Sequence, residues 1–289
     1  MNVVLAIVAV LGVSASGPLM AGAAAPALAI GMWRNALGAL AISPFAVRQA
    51  PAELAGLDRA GRRDVVLAGV ALAVHFGTWV TALKLTSVAA ATAMVSMQLV
   101  FAVLIDRFHG SSIPRSVVVG GALSLVGVLV ITGVDLTLSA EAVTGDLLGL
   151  LGGASAAVYL DAGSRVRRTI STTSYTVVCY AICAAVLAVA SVIGGVQLTG
   201  FAAGTWLAIV GVTVSAQLLG HSILNHLLSV MTPSTISLML LLEVPGAAIL
   251  AGIFLGQTPP LGVYAGLALI LAGLAVVVLR RQPTEAPAI

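Results

Sequence analysis

Only 8% of the 289 residues are charged, and those few charges fall between long apolar runs. A soluble domain carries charge on about a quarter of its residues, so a chain this poor in charge folds in lipid rather than in water. A transmembrane helix takes about 20 apolar residues. Runs of that length lie between charged or Gly/Pro-rich breaks at about 2 to 22, 26 to 47, 65 to 85, 88 to 107, 114 to 134, 144 to 164, 173 to 194, 205 to 229, 234 to 255 and 260 to 280. Ten spans occupy roughly 200 positions and leave no room for a domain outside the membrane. Alanine, glycine, leucine and valine fill the runs without polar alternation, which fits helices and excludes a β-barrel. The expected fold class is an all-α polytopic membrane protein.

Charge placement tests the span count, because short cytoplasmic loops hold the excess of Lys and Arg. With both termini inside, the cytoplasmic set is Arg48, Arg59, Arg62, Arg63, Arg107, Arg115, Arg165, Arg167, Arg168, Arg280 and Arg281, eleven of the thirteen basic residues. Lys84 falls at an outer helix end and Arg34 inside a helix, while the loop from Asp135 to Asp146 is acidic and expected outside. The expected location is the inner membrane of a bacterial-type cell. The small residues from Ala21 to Ala27 suggest a signal-peptide cleavage site, but no basic n-region precedes them. The first run is therefore read as a span.

Shifting the sequence against itself by 145 or 146 positions brings His75 onto His221, Trp79 onto Asn225, Thr86 onto Thr232 and Gln98 onto Glu243. Each half then holds five spans, and an odd number inverts the second half in the membrane. The expected units are 1–142 and 143–281, followed by a short tail, 282–289.

The second half contains the run Gly220-His221-Ser222-Ile223-Leu224-Asn225, then Leu242-Glu243-Val244-Pro245-Gly246-Ala247, then Leu255-Gly256-Gln257. The first half has Trp33-Arg34, the run Ala82-Leu83-Lys84-Leu85-Thr86, and Gln98-Leu99-Val100-Phe101-Ala102. In the order and spacing of these runs, the whole chain resembles the EamA-like families of the drug/metabolite transporter superfamily. Two departures stand out: Val244 splits the usual Glu-Pro, and the usual Gly-Glu reads Gly256-Gln257. The resemblance implies two inverted five-helix repeats and export of a small metabolite, with amino acids or related amphipathic compounds as the substrate class.

Glu243 lies near mid-bilayer, where a charge costs on the order of 2.5 to 3.5 kcal/mol. It is expected to be paired, protonated or facing a wet cavity, which makes it the candidate for proton coupling or for a substrate ammonium. His75 with Trp79, and His221 with Asn225, are four residues apart and share helix faces. Both faces are expected to line the cavity together with Gln98, with helix-to-helix hydrogen bonding as the plainer role. Arg34 sits roughly 12 Å into its span, placed to bind a substrate carboxylate or phosphate, to snorkel outward or to pair with Glu243. Tyr159, Tyr180, Ser14 and Ser16 are plausible cavity lining. Asp161 and Arg165 read as an ion pair, and Cys179 and Cys183 as core thiols. The patterns Gly252 to Gly256 and Gly262 to Gly266 are expected to draw the last two spans together.

No phosphate loop, nucleophile elbow or zinc-helix motif appears. The sequence therefore reads as a secondary transporter with no cofactor, no catalytic residues and no metal, working by alternating access on a small-molecule substrate. The expected partners are that substrate and the lipid bilayer, with no nucleic acid, the chain being a monomer or homodimer. The alternatives are a transporter of a lipid-linked headgroup or a hydrophobic cation, and an intramembrane enzyme using Glu243 and the histidines. The topology is open to a direct check: a single cysteine placed at Thr137 should react with a membrane-impermeant thiol reagent added outside whole cells. Labelling only from the cytoplasmic side would end the inverted-repeat reading.

Overall fold

The computed structural model describes residues 2–110, 115–231, 236, 237 and 239–279, and every regular element within them is a helix. Helices α1 (Asn2–Ser14) and α2 (Ser16–Gly22) form one apolar run interrupted at Ala15. Then come α3 (Ala27–Ala46), the short α4 (Ala50–Ala55) and the long α5 (Arg59–Leu85). Helices α6 (Val88–Ser96) and α7 (Gln98–Phe108) part at Met97. After α8 (Arg115–Leu136), α9 (Ala140–Val166) and α10 (Thr172–Ile193), α11 (Ala203–Val212) widens into a π-helical segment, Thr213–His221, and leaves it as α12 (Ser222–Leu227). A 3-10 turn, Leu240–Leu242, leads into α13 (Glu243–Leu255), and α14 (Leu261–Leu279) closes the described chain. Thr232, Arg280, Arg281 and the tail 282–289 lie outside the described residues.

Among the described residues seven helical runs are long and apolar enough to cross a membrane: Val4–Gly22, Arg59–Leu85, Val88–Phe108, Val118–Asp135, Ala140–Val166, Thr172–Ile193 and Ala203–Leu227. Leu240–Leu255 and Leu261–Val276 are shorter apolar helices. The 20 residues of α3 match a span in length, but Trp33, Arg34 and Asn35 at its middle make it more polar. Large apolar side chains such as Leu11, Phe45, Leu129, Ile253 and Phe254 point outward. Such a surface belongs in lipid, and the chain is an integral membrane protein.

Two helices begin earlier than the apolar runs suggest, at Arg59 and Ala140 rather than 65 and 144. The cause is capping: the Asp58 carboxylate accepts from Gly61 N at 2.8 Å and the Ser139 hydroxyl from Ala142 N at 3.0 Å.

Without a hydrophobic drive between helices in lipid, contact comes from close packing of small residues. Helix α9 shows this best. A Cβ on Gly153 would lie 2.7 Å from Val95 O and 3.2 Å from Gln98 N, so the bare glycine lets α9 press on the backbone where α6 and α7 part. Gly262 and Gly266 act likewise, but they seat α14 against Val134, Ile131 and Gly127 of α8 rather than against α13. Gly256 is instead the left-handed cap of α13, at φ 63°. The expectation that both glycine patterns join the last two spans is thereby corrected. The principal neighbours are α5 with α9, α8 with α14, α3 with α10, α5 with α10 and α1 with the π segment, and α6 also packs on α13.

Polar ties close both ends of the bundle. At one end Arg165 bonds Asp64 at 2.7 Å and pairs with Asp161 one turn away, as the sequence spacing suggests, while Glu53 of α4 accepts from Ser171 N at 2.9 Å. At the other end Lys84 Nζ donates to Ala21 O and Ala23 O, Thr86 Oγ1 to Asp135, Thr132 Oγ1 to Asp146, and Val88 N to Gln257 Oε1.

Paired substitutions separate packing from propensity. Gly153→Ala should lower the stability of the detergent-solubilised protein by about 1 to 3 kcal/mol, because backbone atoms cannot move aside. Gly133→Ala, with nothing within 4 Å of its Cβ, should be neutral or stabilise by up to about 1 kcal/mol. Thermal melts that rank the two in the opposite order would contradict this account of α9.

Candidate functional site

The breaks in the helices surround the centre of the bundle. Gln98 is the first residue of α7, directly after the interruption at Met97, and Glu243 is the first of α13, directly after the 3-10 turn. His221 ends the π segment. There the Gln217 carbonyl accepts from the Ser222 backbone N–H, one residue beyond α-helical register, and also from Tyr180 Oη at 3.0 Å and Ser222 Oγ at 3.0 Å. The widened turn changes the rotation of every later side chain about the helix axis, His221 included.

These residues enclose a cavity of about 30 Å³, lined by His75, Trp79, Gln98, Tyr159, His221 and Glu243 together with Val13, Val95, Ala156, Leu160, Leu224 and Leu240. Such a volume holds about two waters, so this conformation is closed around its centre. His75 Nδ1 lies 3.0 Å from Gly152 O and, facing a carbonyl, is the donor there. This leaves Nε2 for another partner. The His75 ring stacks on Trp79 with centroids 5.4 Å apart and meets His221 edge-on at 6.3 Å. Trp79 Nε1 and Glu243 Oε1 are both buried without a hydrogen-bond partner among the described residues. The cavity therefore presents one free N–H, one free carboxylate oxygen, two imidazoles and an amide on an aromatic wall.

Five sequence candidates lie outside the cavity lining: Asn225, Tyr180, Arg34, Ser14 and Ser16. Asn225 is fully buried behind Tyr159: its side-chain oxygen accepts from Tyr159 Oη, its amide donates to Thr176 Oγ1 at 3.2 Å, and its carbonyl accepts from Arg167 Nε at 3.0 Å. Tyr180 is committed to Gln217 and Ser222. Arg34 neither snorkels nor pairs with Glu243. It is 0% exposed, no ion pair joins it to a carboxylate among the described residues, and its guanidinium lies 4.1 Å from the centroid of the Phe76 ring. Its Nε donates to Gln217 Oε1 at 2.8 Å. Of the remaining candidates, Ser14 bonds its own helix at Val10 O, Ser16 accepts from Arg34, and Cys179 and Cys183 are buried free thiols.

Sequence reasoning passed over Gln217 and Phe76. Gln217 bonds Arg34, Asn35 and Tyr180, joining α3 and α10 to the π segment. A glutamine four residues before His221 inside an apolar run is a readable signal of such a role. Phe76, packed against His75, Trp79 and His221, carries no such signal in an apolar helix.

The model of the EamA-like transporter family matches residues 1–133 and 143–279, nearly the whole chain. A solved crystal structure superposes with a TM-score of 0.69 over 97% of this chain and 99% of that one, at 20% identity, which shows a shared fold. No curated protein matches the chain.

The link between the cavity wall and Asn225 is measurable. Tyr159→Phe removes the donor and strands a buried amide oxygen, so stability should fall by about 1 to 3 kcal/mol. An unchanged melting temperature would mean that Asn225 finds a partner elsewhere.

Proposed function

The chain belongs to the EamA-like transporter family, and from that premise we propose that it is a secondary transporter exporting small metabolites such as amino acids by alternating access. The observation that carries this reading is the closed central cavity, lined by His75, Trp79 and Gln98 from one half and by Tyr159, His221 and Glu243 from the other. In this reading ten spans form two inverted five-helix halves, both termini are cytoplasmic, and the protein sits in the inner membrane. The helix packing supports it. Exchanging the first five helical runs with the last five turns the α5–α9 contact into that of the π segment with α1, and returns the α3–α10, α6–α13 and α8–α14 contacts to themselves. The family model also matches two stretches of similar length.

Alternating access needs an element that opens to one side at a time. The ends held by Arg165, Asp64 and Asp161 and by Thr86, Asp135, Thr132 and Asp146 are the two gates in this reading. Glu243 is the coupling or ammonium-binding carboxylate, since its free oxygen faces the cavity and Gln98 occupies the matching place in the other half.

One observation favours the hydrophobic-cation alternative. A groove of about 710 Å³, almost wholly apolar, runs between α1 and α13, lined by Val10, Ser14, Met239, Leu242 and Gly246. Val13, Leu240 and Glu243 of the same segments line the central cavity. A lipophilic cation would enter through such a groove.

Reconstitution into vesicles tests both. Labelled amino acids should exchange across the membrane faster with protein than without, and an imposed pH gradient should change the rate. Glu243→Gln keeps the shape and removes titration, so the variant should fold as wild type and lose the response to the gradient. Wild-type flux with unchanged pH dependence would make Glu243 structural. Flux of a lipophilic amine but of no amino acid would favour the alternative.

A further inference from the structure

Arg34 is a positive charge inside the bundle with no carboxylate bonded to it among the described residues. Of its five N–H groups, Nε–H donates to Gln217 Oε1, and Nη1 donates to Ser16 Oγ and Met20 Sδ, both at 3.2 Å. Nη2 is buried and has no partner among the described residues. A thioether is a weak acceptor for so strong a donor, and a buried charge without its counter-charge costs several kcal/mol. The Phe76 face at 4.1 Å recovers part of that by cation–π attraction. No ion pair joins Arg34 to Glu243. The arginine is therefore held by neutral stand-ins, at a place where a planar fork suited to a carboxylate is left half empty.

We propose that Arg34 is an anion-binding site, and that its occupant is a small monovalent anion: the carboxylate group of the substrate or a halide ion. The occupant takes Nη1 and Nη2, displacing Ser16 Oγ and Met20 Sδ, while Gln217 and Phe76 hold the guanidinium in place. Ser16 and Met20 both belong to α2, a seven-residue helix set off from α1 at Ala15. Release of Arg34 thus frees a separate short segment rather than a whole span. Phe76 connects this site to the cavity, its ring 4.7 Å from His75 and 5.3 Å from His221. The site depends on the transport reading only for the carboxylate as occupant.

The test is a thermal-shift titration of the purified full chain in detergent, using sodium acetate and sodium chloride as separate probes. Ionic strength is held constant with the salt of a large sulfonate too bulky for the site. Saturable stabilisation by either probe is expected. A response to acetate alone assigns the site to the substrate carboxylate, and a response to chloride alone to a resident halide. Arg34→Lys, which keeps the charge and loses the fork, should weaken the apparent affinity by about tenfold, and Arg34→Gln should abolish the response. If Arg34→Gln does not fold, Met20→Leu decides. Removing the thioether frees the donor, so this variant should bind the probe as tightly as wild type or more so. The proposal is overturned if neither salt gives a saturable shift in wild type, if Arg34→Lys responds as wild type does, or if Met20→Leu loses the response. Such a failure leaves the transport reading intact, because that is judged by flux in vesicles.

Discussion

A polar group inside a bilayer has no water to turn to, so each one must find a partner within the protein or carry a cost. This requirement organises the centre of the molecule. Gln217 spends its side-chain oxygen on Arg34, its amide on Asn35 and its carbonyl on Tyr180 and Ser222. Asn225 is similarly spent on Tyr159, Thr176 and Arg167. Eight buried side-chain polar atoms lack a partner among the described residues, and those of Trp79, Glu243 and Arg34 are three of them. Trp79 and Glu243 line the central cavity and Arg34 lies against Phe76 of the adjoining aromatic cluster, which is the physical basis for reading this region as the place where a ligand binds.

The same requirement explains the helix breaks. A continuous α-helix keeps its carbonyls to itself, whereas the π segment releases Gln217 O to Tyr180 and the interruption at Met97 brings backbone atoms against the bare glycine at 153. Irregular backbone of this kind is tolerated inside a membrane only where protein or a cavity surrounds it. The interruption at Met97 and the 3-10 turn, each followed by a cavity-lining residue, obey that rule. Glycine and alanine make the arrangement possible by letting helices approach to backbone contact, so the polar groups reach one another across short distances.

Much of the fold was legible in the sequence because hydropathy and charge are local properties. The scarcity of charge, the length of the apolar runs and the basic loops are enough to place helices in a membrane. Capping then moves individual boundaries, as Asp58 and Ser139 do, because a cap acts on orphan backbone groups beyond the apolar run. His75 and His221, which fall in register when the sequence is shifted against itself, meet ring to ring, and Gln98 and Glu243 line the same cavity.

Tertiary structure decided what spacing cannot express. Whether Arg34 snorkels, pairs or stays alone depends on residues 42 positions ahead (Phe76) and further still (Gln217), brought to it by helix packing. Asn225 shares a helix face with His221 by count, yet the π segment and Tyr159 turn it into a support behind the cavity. The glycines at 262 and 266 choose α8 over α13 for the same reason: a small residue licenses close approach without naming the neighbour. The sequence determined that the helices lie in lipid and which residues are costly to bury there. Only the packed structure decided which of those costs were met by a partner among the described residues and which were not.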